Sequence, residues 1–357
     1  MLYLGLDVHS KWMTVKGFDP ERGSEVELIR LPNDRESLDK AFGELDGPLH
    51  GAMESGTNAW AVYRILEPYF ERLIVVDPAT VWGKEARRGA KTDRRDARKL
   101  AIKLYQGELV GLYVPDVKTQ DQRALARARI NASRHVTKLV NEIGSLLRSW
   151  GIILDCSLLS VKGQKLLESC RERLPGHSQM LLTMWLEMLD AARRVECDLE
   201  NAVVEEVGKD DECRRLMSIP GVGALTALVV KAEIGDISRF GSAAALVCYC
   251  GLCPSVSQSA DKAYYGKLTK FCNRYLKYVL VLRAQGMSFT TDKDNPMRET
   301  YWRVFLRSKA NHAKIAVARQ LTRVIYRMLT DKSCWDAARI VARRKLGTGG
   351  AEACKAE

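Results

Sequence analysis

Four acidic residues carry the chemistry that this sequence offers most openly. Asp7 lies inside the apolar run LYLGLDV, where a carboxylate is costly unless it is paired or binds a cation. The period-two alternation of a strand sets Tyr3, Gly5 and Asp7 on one face. Glu54 closes a second short apolar run, with Ala52 on its face, so a small residue again precedes an acid by two positions. Asp93 and Asp96 stand three apart in KTDRRDARKLA, which reads as the start of a helix, and that spacing puts both on one helical face. Two acids from strands and two from a helix can converge on a pair of divalent cations. Mg²⁺ prefers hard carboxylate oxygens and keeps several waters. A pair of such ions clamps the attacking and leaving oxygens of a phosphodiester. Taken singly, each acid also reads as a cap, a surface charge or half of an ion pair, Asp96 beside Arg94, Arg95 and Arg98 above all. Asp77, just before Pro78, reads as a turn residue.

The elements that must position these acids alternate in the first third of the chain. Residues 2–8, 12–18 and 25–31 read as strands. Pro32-Asn33-Asp34 then starts a helix, with Asn33 or Asp34 as its N-cap. A short strand over 50–54, a helix from Ala59 to about Phe70 and a buried strand over 73–76 follow. The order predicts a mixed sheet flanked by helices. From about Lys118 to Val207 the apolar positions take helical spacing, as in Leu139, Ile143, Leu146, Leu147 and in Leu182, Trp185, Leu186, Leu189. That pattern suits an antiparallel helical hairpin or coiled-coil arm. Beyond it lies a third, all-α unit, in which Ile219-Pro220-Gly221-Val222-Gly223 reads as a helix-hairpin-helix turn whose amides, about Gly221 and Gly223, can hold a phosphate. The divisions read as 1–117, 118–208, 209–340 and a tail over 341–357, polar and glycine-rich, expected to be disordered.

The 357 residues carry a formal net charge of +12, which favours a polyanionic partner. No apolar run approaches the roughly 20 residues that span a bilayer, and the start MLYLGLDVHS lacks the features of a signal peptide, so a cytoplasmic location without membrane association is expected. The ten cysteines are scattered and read as reduced thiols. Cys248, Cys250 and Cys253, with Cys272 later, read either as a zinc or iron–sulfur site or as small apolar residues of a buried segment. The second reading is preferred, because no second C-x-x-C pair or nearby His completes a ligand pattern. Lys84, Arg87, Arg88, Lys91, Arg94 and Arg95 surround the paired aspartates and suit an anionic backbone beside a metal site. A second basic series, Lys262, Lys267, Lys270, Arg274 and Lys277, is interleaved with Tyr264, Tyr265 and Tyr275. A third runs through Arg298, Arg303, Arg307, Lys309, Lys314 and Arg319.

GLDVHS, AMESGTNAW and AKTDRRDARKLA, in that order, resemble the three motifs of the DEDD transposases of bacterial insertion sequences. The resemblance implies an N-terminal ribonuclease-H-like domain of RuvC type and assigns Asp7, Glu54, Asp93 and Asp96 as ligands of Mg²⁺, with Mn²⁺ as a substitute. CGLCPSVSQSADKAYYGKLTKFCN resembles the family's second block, at Gly251, Leu252, Pro254, Gln258, Ser259, Gly266, Thr269, Lys270 and Asn273. It implies that Ser259, in a polar loop ahead of a basic helix, is the nucleophile, with Ser255 and Ser257 as neighbours. Two departures stand out: Ala260 replaces the usual glycine, and Phe271-Cys272 replaces a basic-glycine step. The resemblance also implies donor and target DNA, a structured bridging RNA, and a homodimer or homotetramer. Three other readings compete. One is a junction-resolving endonuclease that uses metal-activated water. Another is a catalytically inactive nucleic-acid scaffold. The third is an actin-like ATPase, which lacks a later glycine-rich nucleotide loop here.

Overall fold

Alternation in LYLGLDV and WMTVKGF produces two strands whose apolar sides meet one core. β1 (Leu2–Val8) and β2 (Trp12–Phe18) pair antiparallel, with Asp7 opposite Thr14, and Leu4, Leu6, Met13 and Val15 are fully buried. β3 (Glu25–Pro32) pairs antiparallel with β2, with a register shift between Met13 and Val15. α1 (Arg35–Gly43) is capped by Asp34, which accepts from the Ser37 amide; the neighbouring Asn33 is used elsewhere, as a donor to the His9 carbonyl. β4 (Leu49–Glu54) lies parallel to β1, α2 (Ala59–Leu66) follows, and β5 (Arg72–Val76) lies parallel to β4. The helix expected to run to Phe70 ends at Leu66 and continues as a 3₁₀ turn over Glu67–Tyr69, because Pro68 has no amide to donate. The sheet order is β3-β2-β1-β4-β5. α3 (Pro78–Trp82) and α4 (Asp93–Tyr105) close this unit. One face of the sheet packs Leu38 and Phe42 of α1 and Val62 and Leu66 of α2. The other packs Leu100 and Leu104 of α4 against Ala52 and Val76.

The structure is a computed structural model that describes residues 1–82, 93–259, 262–288 and 295–337. It divides into two compact units, Met1–Asp116 and Val117–Glu357. The expected tail, 341–357, lies outside the described residues.

The second unit begins with α5 (Val117–Ser149), α6 (Val161–Arg171) and α7 (Gly176–Gly208). α5 and α7 run antiparallel. Gln122 Nε2 donates to Glu206 at 2.8 Å near one end, Arg129 reaches Glu196 and Glu200 further along, and Trp150 Nε1 donates to Ser178 Oγ at the other end. The periodic Leu139, Ile143, Leu147, Leu182 and Leu189 form the core of that distal end. α8 (Asp211–Met217), α9 (Ala224–Ile234) and α10 (Ala243–Tyr249) follow. α9 has no polar face, and eight of its residues, Thr226–Val230 and Ala232–Ile234, are buried at the centre of the unit.

Here the structure corrects an all-helical expectation. β6 (Pro254–Ser259) and β7 (Lys262–Leu268) form a two-stranded antiparallel hairpin. Ser259 therefore stands on a strand, paired with Lys262, not in a polar loop ahead of a basic helix. Val256, Tyr264 and Tyr265 supply β-preferring residues, and the Thr269 amide donates to the Cys253 carbonyl at 3.1 Å to close the root. The basic helix starts later, as α11 (Arg274–Ser288), followed by α12 (Pro296–Phe305) and α13 (Ala310–Asp331). Among the described residues, no helix is long and apolar enough to cross a membrane.

Candidate functional site

Gly5 decides where the carboxylates meet. A Cβ at Gly5 would stand 1.9 Å from the Ala97 carbonyl oxygen and 2.8 Å from the Ala101 amide, so the backbone of α4 lies directly against β1 at that point. The small residue two positions before Asp7 thus admits a helix. That contact brings the first turn of α4, with Asp93 and Asp96, to the end of β1 that carries Asp7. β4 contributes by register. Gly5 pairs with Ala52 and Leu6 with Met53, and one more step along the parallel ladder brings Glu54 level with Asp7. Asp7, Glu54, Asp93 and Asp96 are all half-buried. Asp7 and Glu54 both have partners, and Asp93 faces His9.

One ligand atom each from Asp7, His9 and Asp93 lies within 4.8 Å of the others. Opposite oxygens on a Mg²⁺ ion stand about 4.2 Å apart, so this group closes on one cation with only a small movement. His9 Nε2 is 3.6 Å from Asp7 Oδ2 and 3.5 Å from Asp93 Oδ2. It is shielded from solvent and, among the described residues, has no hydrogen-bond partner. A nitrogen left between two carboxylates in this way fits a site completed by a shared cation. Glu54 and Asp96 lie outside that tight group.

His9 was not among the residues singled out by sequence, though it stands two positions from Asp7 and could have been sought by the same alternation. Its backbone is held from three directions. The Asn33 side chain donates to the His9 carbonyl at 2.7 Å and the Asn58 side chain at 2.8 Å, while the His9 amide donates to the Trp12 carbonyl. Its ring packs against Trp12 at 4.0 Å between centroids. Asp77 does what a turn residue does, accepting from the Ala79 amide.

Ser259 belongs to the second unit and is placed by the β6–β7 register. Asn273, in the same sequence block, ties that region together. Its Oδ1 accepts from the Tyr275 and Leu276 amides, capping α11, while its Nδ2 donates to Glu233 Oε2 at 2.7 Å. Glu233 is 1% exposed and receives a bidentate pair from Arg127 at 2.6 and 2.8 Å. Tyr275 packs on the core under the Arg127 guanidinium, which favours packing over base stacking for that ring.

Lys84, Arg87, Arg88 and Lys91 lie outside the described residues, and Arg94 is described only as part of α4. Arg95 is exposed on α4. Lys262 and Lys267 are on β7, Lys270 is in the following turn and Arg274 opens α11; Lys267, Lys270 and Arg274 are exposed. The Pro-Gly-Val-Gly segment joins α8 to α9. Gly221 has φ +81°, which only glycine adopts readily, and Gly223 is the N-cap of α9 without a side-chain cap. Buried Ile219 and Val222 anchor the turn.

A family model described as a transposase, of the DEDD IS110 type, matches residues 4–151. A second, described as the transposase IS116/IS110/IS902 family, matches residues 213–302. The transposase for insertion sequence element IS1111A of Coxiella burnetii is 28% identical over 250 residues, covering 69% of this chain and 68% of that protein. A probable family 20 transposase of Pseudomonas aeruginosa is 25% identical over 340 residues, covering 93% and 98%. The transposase for insertion sequence element IS1328 of Yersinia enterocolitica is 24% identical over 222 residues, covering 60% and 65%. Motifs, family models and relatives agree: this chain belongs to the DEDD-type insertion-sequence transposases.

Proposed function

We propose that the chain cuts, holds and rejoins DNA strands at the ends of an insertion sequence and at its target, using Ser259 as nucleophile and a divalent-cation centre on Asp7, Glu54, Asp93 and Asp96. The observation that carries this reading is the convergence of Asp7, His9 and Asp93 at the end of β1. The antiparallel-then-parallel order β3-β2-β1-β4-β5 supports a ribonuclease-H-like N-terminal domain over 1–117, followed by an arm over 118–208 and a serine-bearing domain over 209–340. Bound at the carboxylates, Mg²⁺, or Mn²⁺ in its place, would supply positive charge to the scissile phosphate. His9 adds a nitrogen donor, which Mn²⁺ tolerates better than Mg²⁺.

Ser259 would form a bond to the phosphorus as the bond to one sugar oxygen breaks. The serine gives up its proton, and the leaving sugar oxygen takes one up. The phosphoserine ester keeps the bond energy, so a hydroxyl from another strand can displace Ser259 and rejoin the DNA. Exposed Lys267, Lys270 and Arg274 follow Ser259 in the chain and suit the anionic substrate. A bridging RNA and a homodimer or homotetramer are part of the same reading, and a net charge of +12 suits either polynucleotide. The test is covalent trapping on element-end DNA. Wild type and Ser257→Ala give a protein–DNA adduct, and Ser259→Ala gives none. Cleavage without any adduct would instead identify a water-using nuclease. Asp7→Asn is expected to lower adduct formation by about 10³-fold, the size of a lost charge-stabilising group. Unchanged rates in that variant would remove the metal centre from the reading.

A further inference from the structure

The turn that leads into β6 holds two cysteines in contact. Cys248, in the last turn of α10, is exposed, and Cys253 is half-buried. Their Sγ atoms are 2.9 Å apart. The approach is enforced by the backbone. The Leu252 amide donates to the Val247 carbonyl at 3.1 Å and the Gly251 amide to the Cys248 carbonyl at 2.8 Å, with Gly251 at φ +66°. This is a Schellman ending, and it folds the residues after α10 back over its last turn. Gly251 is required twice, since a Cβ there would also stand 2.4 Å from Cys272. Cys253 in turn sits at the root of the hairpin, where its carbonyl accepts from Thr269.

We propose that Cys248 and Cys253 are a reversible thiol–disulfide pair that staples the end of α10 to the root of the β6–β7 hairpin. The Cys253 sulfur beside it holds the Cys248 thiol above its usual value, so exposed Cys248 attacks one sulfur of a low-molecular-weight disulfide through the minor thiolate form. The S–S bond breaks and one thiolate leaves, giving a mixed disulfide. Cys253 then attacks Cys248 Sγ, expelling the second thiolate. The protein loses two electrons and two protons, and the small disulfide becomes two thiols. Buried Cys250, whose thiol is pushed up to about 12 by burial, stays out of the exchange. A staple this close to a two-stranded hairpin restrains its opening, because such a hairpin is marginal alone. The inference does not depend on Ser259 being a nucleophile.

The full chain is incubated with oxidised glutathione, alkylated and digested for mass analysis. The expected product is an internal Cys248–Cys253 link, with loss of alkylation at both positions and full recovery after dithiothreitol. In Cys253→Ser the reaction should stop at a glutathione adduct on Cys248. Amide exchange through residues 262–269 should slow by roughly threefold or more in the oxidised wild type and stay unchanged in Cys248→Ser treated alike. A glutathione adduct on Cys248 as the wild-type end product, or pairing of Cys253 with Cys250 or Cys272, overturns the proposal. So does an internal link that leaves exchange of the hairpin unaltered.

Discussion

Asp7 and Ser259 both stand on strands, but the two strands are held by different means. β1 is bonded on both sides, to β2 and β4, and α4 lies against it at Gly5. The strand that carries Asp7 is therefore set by backbone ladders on both edges and by the close approach of α4. Among the described residues β6 has one neighbour, β7, and depends on what grips its root: the turn after α10, the Thr269–Cys253 bond, and Asn273, whose amide donates to the Tyr249 carbonyl. A carboxylate that gathers cations benefits from rigidity, since preorganised charge costs nothing at the moment of reaction. On the proposed function, a serine that attacks, holds and releases a strand would suit an element fastened at one end.

Four changes would break or sharpen this contrast. The largest effect is expected from Glu233→Ala, which leaves the guanidinium of Arg127 and the amide of Asn273 without the carboxylate they grip. Breaking a buried ion pair by removing one partner costs about 3 kcal/mol or more. Urea unfolding should show that loss, with faster amide exchange in 262–269 and unchanged Mn²⁺ affinity. Weaker Mn²⁺ binding would show that the two regions are not separately held. Gly5→Ala is the converse. Its methyl group meets backbone of α4, so overpacking of about 2 kcal/mol is expected. Mn²⁺ binding followed by electron paramagnetic resonance should weaken, while exchange of the hairpin stays as in wild type.

Asn58→Ala removes one of the two side chains that hold the His9 carbonyl. A loss of about 1 kcal/mol is expected, with Mn²⁺ affinity reduced about tenfold, the lower range for a residue that orients a ligand. An affinity equal to wild type would take His9 out of the centre. The smallest effect is expected from Asp34→Ala. The Ser37 amide and hydroxyl hold the Asp34 carboxyl below its usual value of 3.8. A depressed carboxyl stabilises the fold above its unfolded value, and that stability is lost as pH falls through the folded value. The variant should therefore melt earlier than wild type at neutral pH and match it in strong acid. A gap that persists in acid would assign the loss to packing of α1.

Much of the N-terminal sheet was legible because its strands carry local signals, alternation in β1 and β2 and a short apolar run in β5. The β1, β2 and β3 spans are set by residues within them, and Asp7 in an apolar run and the Asp93–Asp96 spacing are local signals. The end of α2 was legible only in part, since Pro68 permits a 3₁₀ turn that continues the helical pattern. The hairpin was not legible as strands. Six residues such as PSVSQS carry too few periods to separate strand from loop, and the pairing with KAYYGKL that decides it is a contact between segments. His9 was missed because it lies beyond the last residue of β1, in a turn whose path depends on Asn33 and Asn58 from distant parts of the chain.

By itself, then, the sequence determined the acids, their strands and helix, the long antiparallel arm and the family motifs. All of these depend on residue type and short-range periodicity. Only the tertiary structure decided that Gly5 admits α4, that His9 joins Asp7 and Asp93, and that Cys248 meets Cys253. Each of those requires backbone segments to approach within a few ångströms, and close approach is a property of packed pairs that no single segment encodes.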